Sequence, residues 1–553
     1  MFARRLEQAI RAAGGLVVAA VVLSAAASAS PGANERADHA ARDGGEFRVG
    51  IPATSIIDSI DPILASFPGA LSVNQASCAG LMAYPDATFP AGLRLQPEIA
   101  VGFPRITDGG KTYSFTIRKG VRFSTGPVVT ARSFAHTINR VLSKTMDSPY
   151  WSYLGDIVGA RAVHEGTATE VAGVSARRNT LTIRLTKASG DFVARVGTVC
   201  VLPESVPIDP EGVKAPVPSA APYFISEYLP GALLVLDRNR YYTGTRPHHV
   251  NRIVVSIGGD AASVLDRVDR GELDYGLLLP GHYADRTQEL RRRYGVDKSR
   301  FFASPALNLR IFVLNTSRPL FRNNVKLRQA VNFAVDRKAI LRERGPLAGY
   351  LTDQYLPPFI PGFRDERIYP LQAPDLAKAQ ALAKGRTRVG KAVLYVSSSS
   401  PGSLAQGQVL AGNLAKIGLD VEIQAFPSPV LFEKMKTPGE PFDIGSVGWI
   451  SVGSEWLTLL NWMFDGGTIA NAPNFGNLSY FDSPKYNRLL EQASRLPLGA
   501  ERDRAYAALD VDLAKNVAPA IPISYDRILT LVSQRTGCVV VNPSLDLAAV
   551  CLK

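Results

Sequence analysis

The stretch from Leu95 to Leu142 constrains the fold more than any other part of this chain. A turn is predicted at Asp108-Gly109-Gly110, because glycine readily adopts the positive φ angles that tight turns require. Tyr113, Phe115 and Ile117 then alternate with polar residues. This period of two predicts a strand with one buried face.

The same stretch continues through further turns into a helix. Lys119-Gly120 and Thr125-Gly126-Pro127 are turn sequences, and Thr130 has a side-chain oxygen of the kind that caps helix N-termini. The apolar residues that follow recur at helical spacing and form a predicted inward face: Phe134, Ile138, Val141 and Leu142. The order turn, strand, turn and capped helix predicts an α+β unit.

This order of residues resembles the signature of the family 5 extracytoplasmic solute-binding proteins, the peptide, nickel and related receptors of ABC importers. The matching positions are Pro97, Ile99, Ala100, Asp108, Gly109, Thr112, Tyr113, Phe115, Ile117, Arg118, Gly120, Val121, Phe123, Ser124, Gly126, Thr130 and Ala131. A second match comprises Asn315, Pro319, Leu320, Phe321, Val325, Arg328, Gln329, Ala330, Asn332, Ala334, Val335, Asp336 and Arg337. The resemblance extends over residues 44–535.

The resemblance implies an α/β fold of the two-lobed, periplasmic-binding-protein-like type II, with an extra α+β subdomain and a two-segment hinge. The chain is expected to cross between the lobes near residues 300–312 and again near 515–525. The expected boundaries are 44–75 with 200–299 and 521–553 for lobe I, 76–199 for its small subdomain, and 300–520 for lobe II.

Two local predictions concern lobe II. Val325, Ala330, Val331, Ala334 and Ile340 form the apolar stripe of one predicted helix, and Asp336 near its end is expected to form local hydrogen bonds. The following segments alternate between helix and strand over residues 375–425, which predicts an α/β layer.

The first 29 residues are predicted to be a targeting segment. Arg4, Arg5 and Arg11 form a basic region, an apolar run follows from Leu16 to Leu23, and Ala27-Ser28-Ala29 is typical of a cleavage site. With no cysteine near that site, a cleaved, non-lipoprotein, exported chain is expected, periplasmic or extracellular. An uncleaved membrane anchor is the alternative. Residues 30–43 are polar and are predicted to be a disordered lead-in.

The charge pattern argues against nucleic acid as a partner. The net charge is +13, but the basic residues are dispersed and do not alternate with aromatic ones. The expected partners are instead a small-molecule or peptide ligand and, by resemblance, the permease subunits of an ABC importer. A monomer is expected.

The four cysteines fit an exported protein. Cys538 and Cys551 bracket a short terminal segment that a disulfide would close, and Cys78 and Cys200 would then pair with each other. Two buried free thiols are the alternative for that second pair. No cysteine or histidine cluster has metal-ligand spacing, and the adjacent His248 and His249 would point to opposite faces of an extended segment.

No motif of an enzyme is present. The sequence has no nucleophile elbow, no phosphate-binding loop, no dinucleotide fingerprint and no zinc-protease helix. We therefore predict a non-enzymatic binding protein without metal or cofactor. An exported hydrolase is the alternative from another class, and a receptor used for sensing is a third possibility.

The predicted ligand site lies in the segment from Phe442 to Trp456, which resembles the family's cleft-lining loop. Where peptide receptors place an aspartate that pairs with the ligand's α-ammonium, this chain has Val452, and Glu455 is a possible substitute. The expected ligand contacts are Tyr84, Trp449, Ser451, Val452, Glu455 and Trp456. Peptide is the leading ligand class; an oligosaccharide or a modified amino compound is the alternative.

Overall fold

A computed structural model of the chain describes residues 43–53, 57–278, 280–283, 285–387, 390–399, 401–450, 459–469, 476–542 and 544–553. The predicted targeting segment and lead-in therefore lie outside the described residues, apart from Asp43. The described ranges contain both strands and helices, from the first strand near residue 46 to the last near residue 531.

The strands are β1 (Glu46–Ile51), β2 (Met82–Ala83), β3 (Gln96–Pro97), β4 (Arg105–Thr107), β5 (Thr112–Thr116), β6 (Val174–Arg177), β7 (Thr180–Arg184), β8 (Tyr223–Leu229), β9 (Leu233–Arg238), β10 (Arg252–Ile257), β11 (Tyr275–Gly276), β12 (Phe301–Leu314), β13 (Gly349–Leu351), β14 (Ala392–Ser397), β15 (Val421–Phe426), β16 (Ile444–Ile450) and β17 (Ala520–Leu531).

The helices are α1 (Pro68–Ser77), α2 (Ala131–Leu142), α3 (Trp151–Leu154), α4 (Ala160–His164), α5 (Phe192–Gly197), α6 (Ala261–Arg270), α7 (Thr287–Tyr294), α8 (Val325–Ala334), α9 (Arg337–Arg342), α10 (Leu376–Ala383), α11 (Pro401–Ala415), α12 (Ser428–Lys436), α13 (Leu459–Phe464), α14 (Pro484–Arg495) and α15 (Ala500–Asp512).

The first lobe is built on a five-stranded sheet in the order β11-β1-β10-β9-β8. Phe47, Val49 and Ile51 alternate along β1 and are completely buried, as expected for a central strand. The C-terminal segment packs into the same core through Leu545 and Leu547. The lobe is thus completed by residues from both ends of the described chain.

The small subdomain contains a four-stranded antiparallel sheet in the order β4-β5-β7-β6. The predicted turn is present, with Asp108, Gly109 and Gly110 all at positive φ. The side chain of Thr130 accepts a hydrogen bond from the backbone N–H of Ser133 at 3.2 Å, which caps α2. The predicted inward face of α2 is buried, so the local prediction is confirmed.

A fully buried ion pair joins this subdomain to the first lobe. Arg140 Nη2 of α2 lies 2.8 Å from Asp61 Oδ2, and both side chains are completely buried. The Asp61 carboxylate also accepts hydrogen bonds from the backbone N–H groups of Ile63 and Val213. These hydrogen bonds compensate the cost of removing both charges from water.

The second lobe is built on a six-stranded sheet in the order β13-β17-β12-β16-β14-β15. β14 and β15 are parallel and connected through α11, which is the predicted α/β layer. The single helix predicted over Val325 to Ile340 is wrong, because the structure has two helices there. Val335 is extended, and the Asp336 side chain caps α9 by accepting from Ala339 N at 2.8 Å. The backbone N–H of Asp336 donates to Asn413 of α11, so helical hydrogen bonding stops there.

Two long antiparallel strands, β12 and β17, each contribute to the cores of both lobes. Phe301 of β12 and Leu531 of β17 pair within one core, whereas Ile311 and Tyr525 belong to another. The pairing register of the two strands changes in the segment from Pro305 to Leu309. This segment lies between the part of β12 that packs in the first core and the part that packs in the second. A β-bulge at such a point bends a strand and interrupts its ladder of hydrogen bonds.

The architecture is therefore α/β and two-lobed, of type II, as the sequence predicted. Both disulfides predicted from the cysteine positions are present, Cys78–Cys200 and Cys538–Cys551. Free thiols as the alternative for Cys78 and Cys200 are thereby contradicted.

Candidate functional site

Trp449 lies near the end of β16, on the face of the second sheet that packs against the lobe II core. Leu309 of β12 pairs with Trp449 on one side and with Tyr525 of β17 on the other. Directly opposed residues of antiparallel strands project to the same face. Trp449 is half-buried against the core to which Leu309 and Tyr525 belong.

A row of aromatic rings leads from this face to the small subdomain. The ring of Tyr525 lies 6.1 Å from that of Phe359, and Phe359 stacks on Phe89 with ring centroids 5.6 Å apart. Phe89 belongs to the segment that follows β2, so the stacked pair joins the subdomain to lobe II. Tyr525 is completely buried, whereas Phe359 and Phe89 are half-buried and can offer apolar and stacking contacts to a ligand.

The segment after β16 carries most of the predicted ligand contacts. Ser451, Val452, Glu455 and Trp456 lie outside the described residues. The chain is described again from Leu459, where α13 inserts apolar side chains into the core that Trp449 contacts: Leu459, Leu460, Met463 and Phe464. Both described ends of the predicted loop therefore pack on one core.

A cavity of about 760 Å³ lies between the small subdomain and lobe II. Tyr84 lines it, together with residues of the subdomain and of the turn between α14 and α15. Trp449 is not one of the described residues that line this cavity. Of the two described members of the predicted site, Tyr84 therefore lines this cavity and Trp449 does not.

The walls of this cavity are held together by direct contacts. The backbone N–H of Gly190 in the subdomain donates to the carbonyl of Ser494 in α14 at 2.9 Å. The fully buried Arg502 of α15 donates to the carbonyl of Leu496 at 3.0 Å. A Cβ atom at Gly190 would lie 1.8 Å from the Leu496 carbonyl oxygen, so only glycine permits this approach.

A buried carboxyl group lies beneath the aromatic row. Burial raises the pKa of Asp510 in α15 to about 7, against three hydrogen bonds that favour the ionised form. These come from the side chain of Gln354 and the backbone N–H groups of Tyr355 and Leu356. Because Asp510 is 1 % exposed, its role is to hold the loop at residues 354–356 rather than to contact a ligand.

A second buried cluster connects the subdomain to lobe I and to the C-terminal disulfide loop. Arg246 forms ion pairs with Asp86 at 2.9 Å and Glu98 at 3.4 Å. Asp546, inside the loop closed by Cys538–Cys551, hydrogen-bonds to Asp86. Burial raises the pKa of Asp546 to about 8, whereas the Arg246 guanidinium holds the pKa of Asp86 below its usual range against burial. The cluster fixes the base of the cavity-lining segment that contains Tyr84.

The sequence did not reveal this second cluster or most of the cavity lining. Neither Arg246 nor the turn between Arg495 and Gly499 belongs to a motif that indicates a binding site. Across the described ranges, no group of three histidine, cysteine or acidic side chains is placed to hold a metal ion. No helix within those ranges combines the length and hydrophobicity needed to cross a membrane.

The chain matches the family model described as bacterial extracellular solute-binding proteins, family 5, middle region, over residues 94–471. It is 27% identical over 456 residues to heme-binding protein A of Haemophilus influenzae, covering 78% of this chain and 79% of that protein. It is 23% identical over 405 residues to the oligopeptide-binding protein OppA of Bacillus subtilis, covering 69% and 71%.

Solved structures share the fold over nearly the whole chain. The clavulanic acid biosynthesis oligopeptide binding protein 2 superposes with a TM-score of 0.80 at 23% identity, covering 92% of this chain and 96% of that one. HbpA2 of Haemophilus parasuis gives a TM-score of 0.77 at 19% identity, covering 92% and 100%.

Proposed function

This chain belongs to the bacterial extracellular solute-binding proteins of family 5, and from that premise we propose that it captures a ligand between its two lobes and delivers it to the permease of an ABC importer. Members of this family are substrate receptors rather than enzymes. The observation that carries the proposal is the pair of long strands that pass from one core to the other. A ligand that contacts both lobes stabilises the closed arrangement, because only that arrangement makes both sets of contacts.

The proposed lobes keep the boundaries expected from the sequence, and β17 passes between them, with Tyr525 in the lobe II core and Leu531 in a lobe I core. Residues 44–75, 200–299 and 521–553 form lobe I, residues 76–199 its subdomain, and residues 300–520 lobe II. The register shift between Pro305 and Leu309 of β12 supports a hinge at the first crossing. The residues of β17 that pair with these two, Arg527 and Tyr525, lie on either side of the same shift and support a hinge at the second crossing.

The proposed ligand class is peptide. Relatives named as oligopeptide-binding and dipeptide-binding proteins support it at the level of the family. We assign the ligand contacts to Trp449, Ser451, Val452, Glu455 and Trp456, with Tyr84 on the subdomain side. The exposed part of Trp449 and the aromatic row beside it would hold ligand side chains by stacking.

Calorimetry against a mixed pool of short peptides tests this class and the role of two residues. If Glu455 pairs with the peptide α-ammonium, Glu455→Gln abolishes binding, because a desolvated cation without its partner forfeits several kcal/mol, roughly two to three decades in affinity. If no residue supplies that carboxylate, the wild type binds peptides weakly and Val452→Asp strengthens binding. Tight wild-type binding that survives Glu455→Gln would contradict both assignments.

A non-peptide ligand is the second candidate. Val452 at the position of the expected aspartate favours it, and a relative over most of this chain is named as a heme-binding protein. Native mass spectrometry of the purified protein separates the two candidates, because a retained ligand is released on denaturation and can be weighed. A released peptide would reject the second candidate.

We also propose export. The targeting segment at residues 1–29, the two disulfides and the family support a periplasmic or extracellular location without lipid attachment. Intact mass of the protein isolated from its native host tests this, since a mature chain beginning near Ser30 is expected. A mass that retains the first 29 residues would support the anchor instead.

A further inference from the structure

The cavity between the small subdomain and lobe II has a lining suited to an apolar ligand. More than half of its lining residues are apolar or aromatic, and they come from both sides, including Val193 and Leu95 from the subdomain and Ile360 and Pro497 from lobe II. Its volume of about 760 Å³ lies within the range of roughly 300–1,000 Å³ typical of small-molecule sites.

Two side chains of this lining are apolar and yet exposed to water. Phe103 is 56% exposed and Ile106 is 42% exposed, and both belong to the loop and strand that enter the Asp108 turn. Single exposed apolar residues are common on protein surfaces, but two that share the lining of one concave site form a patch. Ligand binding would remove that patch from water.

The charged side chains of the lining give the cavity a positive balance. Two basic residues, Arg94 and Arg495, line it together with a single acid, Asp503. Arg495 pairs with Glu491 of its own helix, whereas in the described part of the chain Arg94 has no ion pair. A ligand with an anionic group would find in Arg94 a cation that the protein itself leaves uncompensated.

The two walls of the cavity contact each other directly. The Gly190–Ser494 hydrogen bond and the Phe89–Phe359 stack hold its two walls at separate points. Because the walls belong to the subdomain and to lobe II, an occupant would favour the closed arrangement of the molecule.

We propose that this cavity is a second binding site, distinct from the Trp449 surface, which takes small amphipathic anions with an apolar body and one carboxylate or sulfonate group. The apolar body lies against Phe103, Ile106 and Ile360, and the anionic group lies at Arg94. Tyr84 is the one proposed ligand contact that the two sites share.

The probe for this site is anilinonaphthalene sulfonate, which combines an aromatic body with one anion and fluoresces when bound. The full-length mature protein is titrated with the probe, and decanoate is then added as a competitor. Phe103→Ser and Ile106→Ser are each expected to weaken probe binding roughly fivefold or more, because each removes apolar contact area. Arg94→Gln is expected to weaken decanoate by a similar factor and to reduce its dependence on salt.

Matched controls lie elsewhere on the surface. Leu229→Ser removes an apolar side chain that is 51% exposed and lies outside the cavity lining, and Arg322→Gln removes an exposed cation of lobe II. Both are expected to bind the probe as the wild type does. Thermal melts of all variants verify that they fold.

Three results would overturn the proposal. Equal weakening by Leu229→Ser and Phe103→Ser would mean non-specific adsorption, and displacement by decyltrimethylammonium as effective as by decanoate would remove the role of charge. Weakening by Trp449→Ala as large as that by Phe103→Ser would place the probe in the peptide site. None of these results depends on whether peptides bind, so the proposal stands or falls separately from the proposed function.

Discussion

Asp510 is a carboxyl group held in a position where ionisation opposes folding. Removal from water raises its pKa to about 7, although three hydrogen bonds favour the ionised form and Asp353 nearby opposes it. The folded state therefore binds this proton more tightly than the unfolded chain does. It follows that the contribution of Asp510 to stability is fully present below the unfolded pKa, about 4, and is lost as the pH rises towards 7.

We expect Asp510→Asn to remove this dependence on pH. Between pH 4 and pH 7.5, the free energy of unfolding of the wild type should fall relative to that of the variant by on the order of 3 kcal/mol. Urea denaturation at both pH values measures the shift. Asp420→Asn replaces an exposed acid and should show little change; a parallel response of both variants would contradict the assignment.

Sequence reasoning at this scale identified residue types but not partners. The pairing of Asp61 with Arg140, 79 residues away, is a product of the tertiary fold. The same holds for Arg246 with Asp86 and for the acid at Asp510. A polar residue in an apolar stripe looks the same in sequence whether it meets a partner or water.

Among the elements, α2 illustrates where local chemistry is sufficient. Thr130 and Ser133 form a reciprocal capping box, in which each side chain bonds the other's backbone N–H. The apolar spacing that follows fixes the buried face. Both signals lie within one stretch of sequence, which is why the prediction was confirmed there.

Thr130→Ala should destabilise the protein by about 1 kcal/mol, because it leaves a helix N-terminal N–H without its acceptor. Thr130→Ser keeps the hydroxyl and should cost only a fraction of this. Chemical denaturation of the two variants beside the wild type gives both values. Equal losses would mean that packing of the Thr130 methyl group, not the cap, is responsible.

The break between α8 and α9 illustrates the opposite case. The apolar stripe continues from Ala334 to Ile340, and by periodicity alone the helix continues too. Its end is set by the hydrogen bond from the Asp336 backbone N–H to Asn413, a residue of another helix. Local hydrogen bonds were expected for Asp336, but the bond from its backbone N–H to Asn413, which ends the first helix, could not be predicted from the local sequence.

The two disulfides should contribute unequally to stability. Cys78–Cys200 joins residues separated by 122 positions and Cys538–Cys551 joins residues separated by 13. In the chain-entropy view, replacing the first pair with serine costs roughly 5 kcal/mol and replacing the second roughly 3 kcal/mol. Thermal denaturation of the two double variants compares them, and a larger loss for Cys538–Cys551 would show that local packing dominates.

For the whole molecule, the fold could be predicted because two motifs at fixed spacing resemble one family. The identity of the ligand could not be predicted in this way. The predicted contacts in the loop after Trp449 fall outside the described residues, and the cavity is assembled from segments near residues 93–113 and 495–503 that no motif connects. Binding surfaces between lobes depend on how distant segments approach, which local pattern does not encode.

Small-angle scattering tests the hinge at this scale. With a ligand that calorimetry has shown to bind, the radius of gyration should decrease, because the lobes close about the break between Pro305 and Leu309. A matched titration with a compound that does not bind should leave it unchanged. A ligand that binds without contraction would count against closure as the mechanism.

The first lobe is built from segments near both ends of the described chain, and this determines when the lobe can fold. β1 begins at Glu46, and its core is completed by Leu545 and Leu547, so its two parts are made at opposite ends of synthesis. Arg535 donates a hydrogen bond to the carbonyl of Glu46 across 489 residues. The small subdomain can fold as the chain emerges, since domains generally fold as units in order of synthesis, whereas the sheet of the second lobe is completed only when β17 has been made. β1, the first of the described strands to be made, is then among the last to be buried, and a chain that stops short of residue 541 has no complete first lobe.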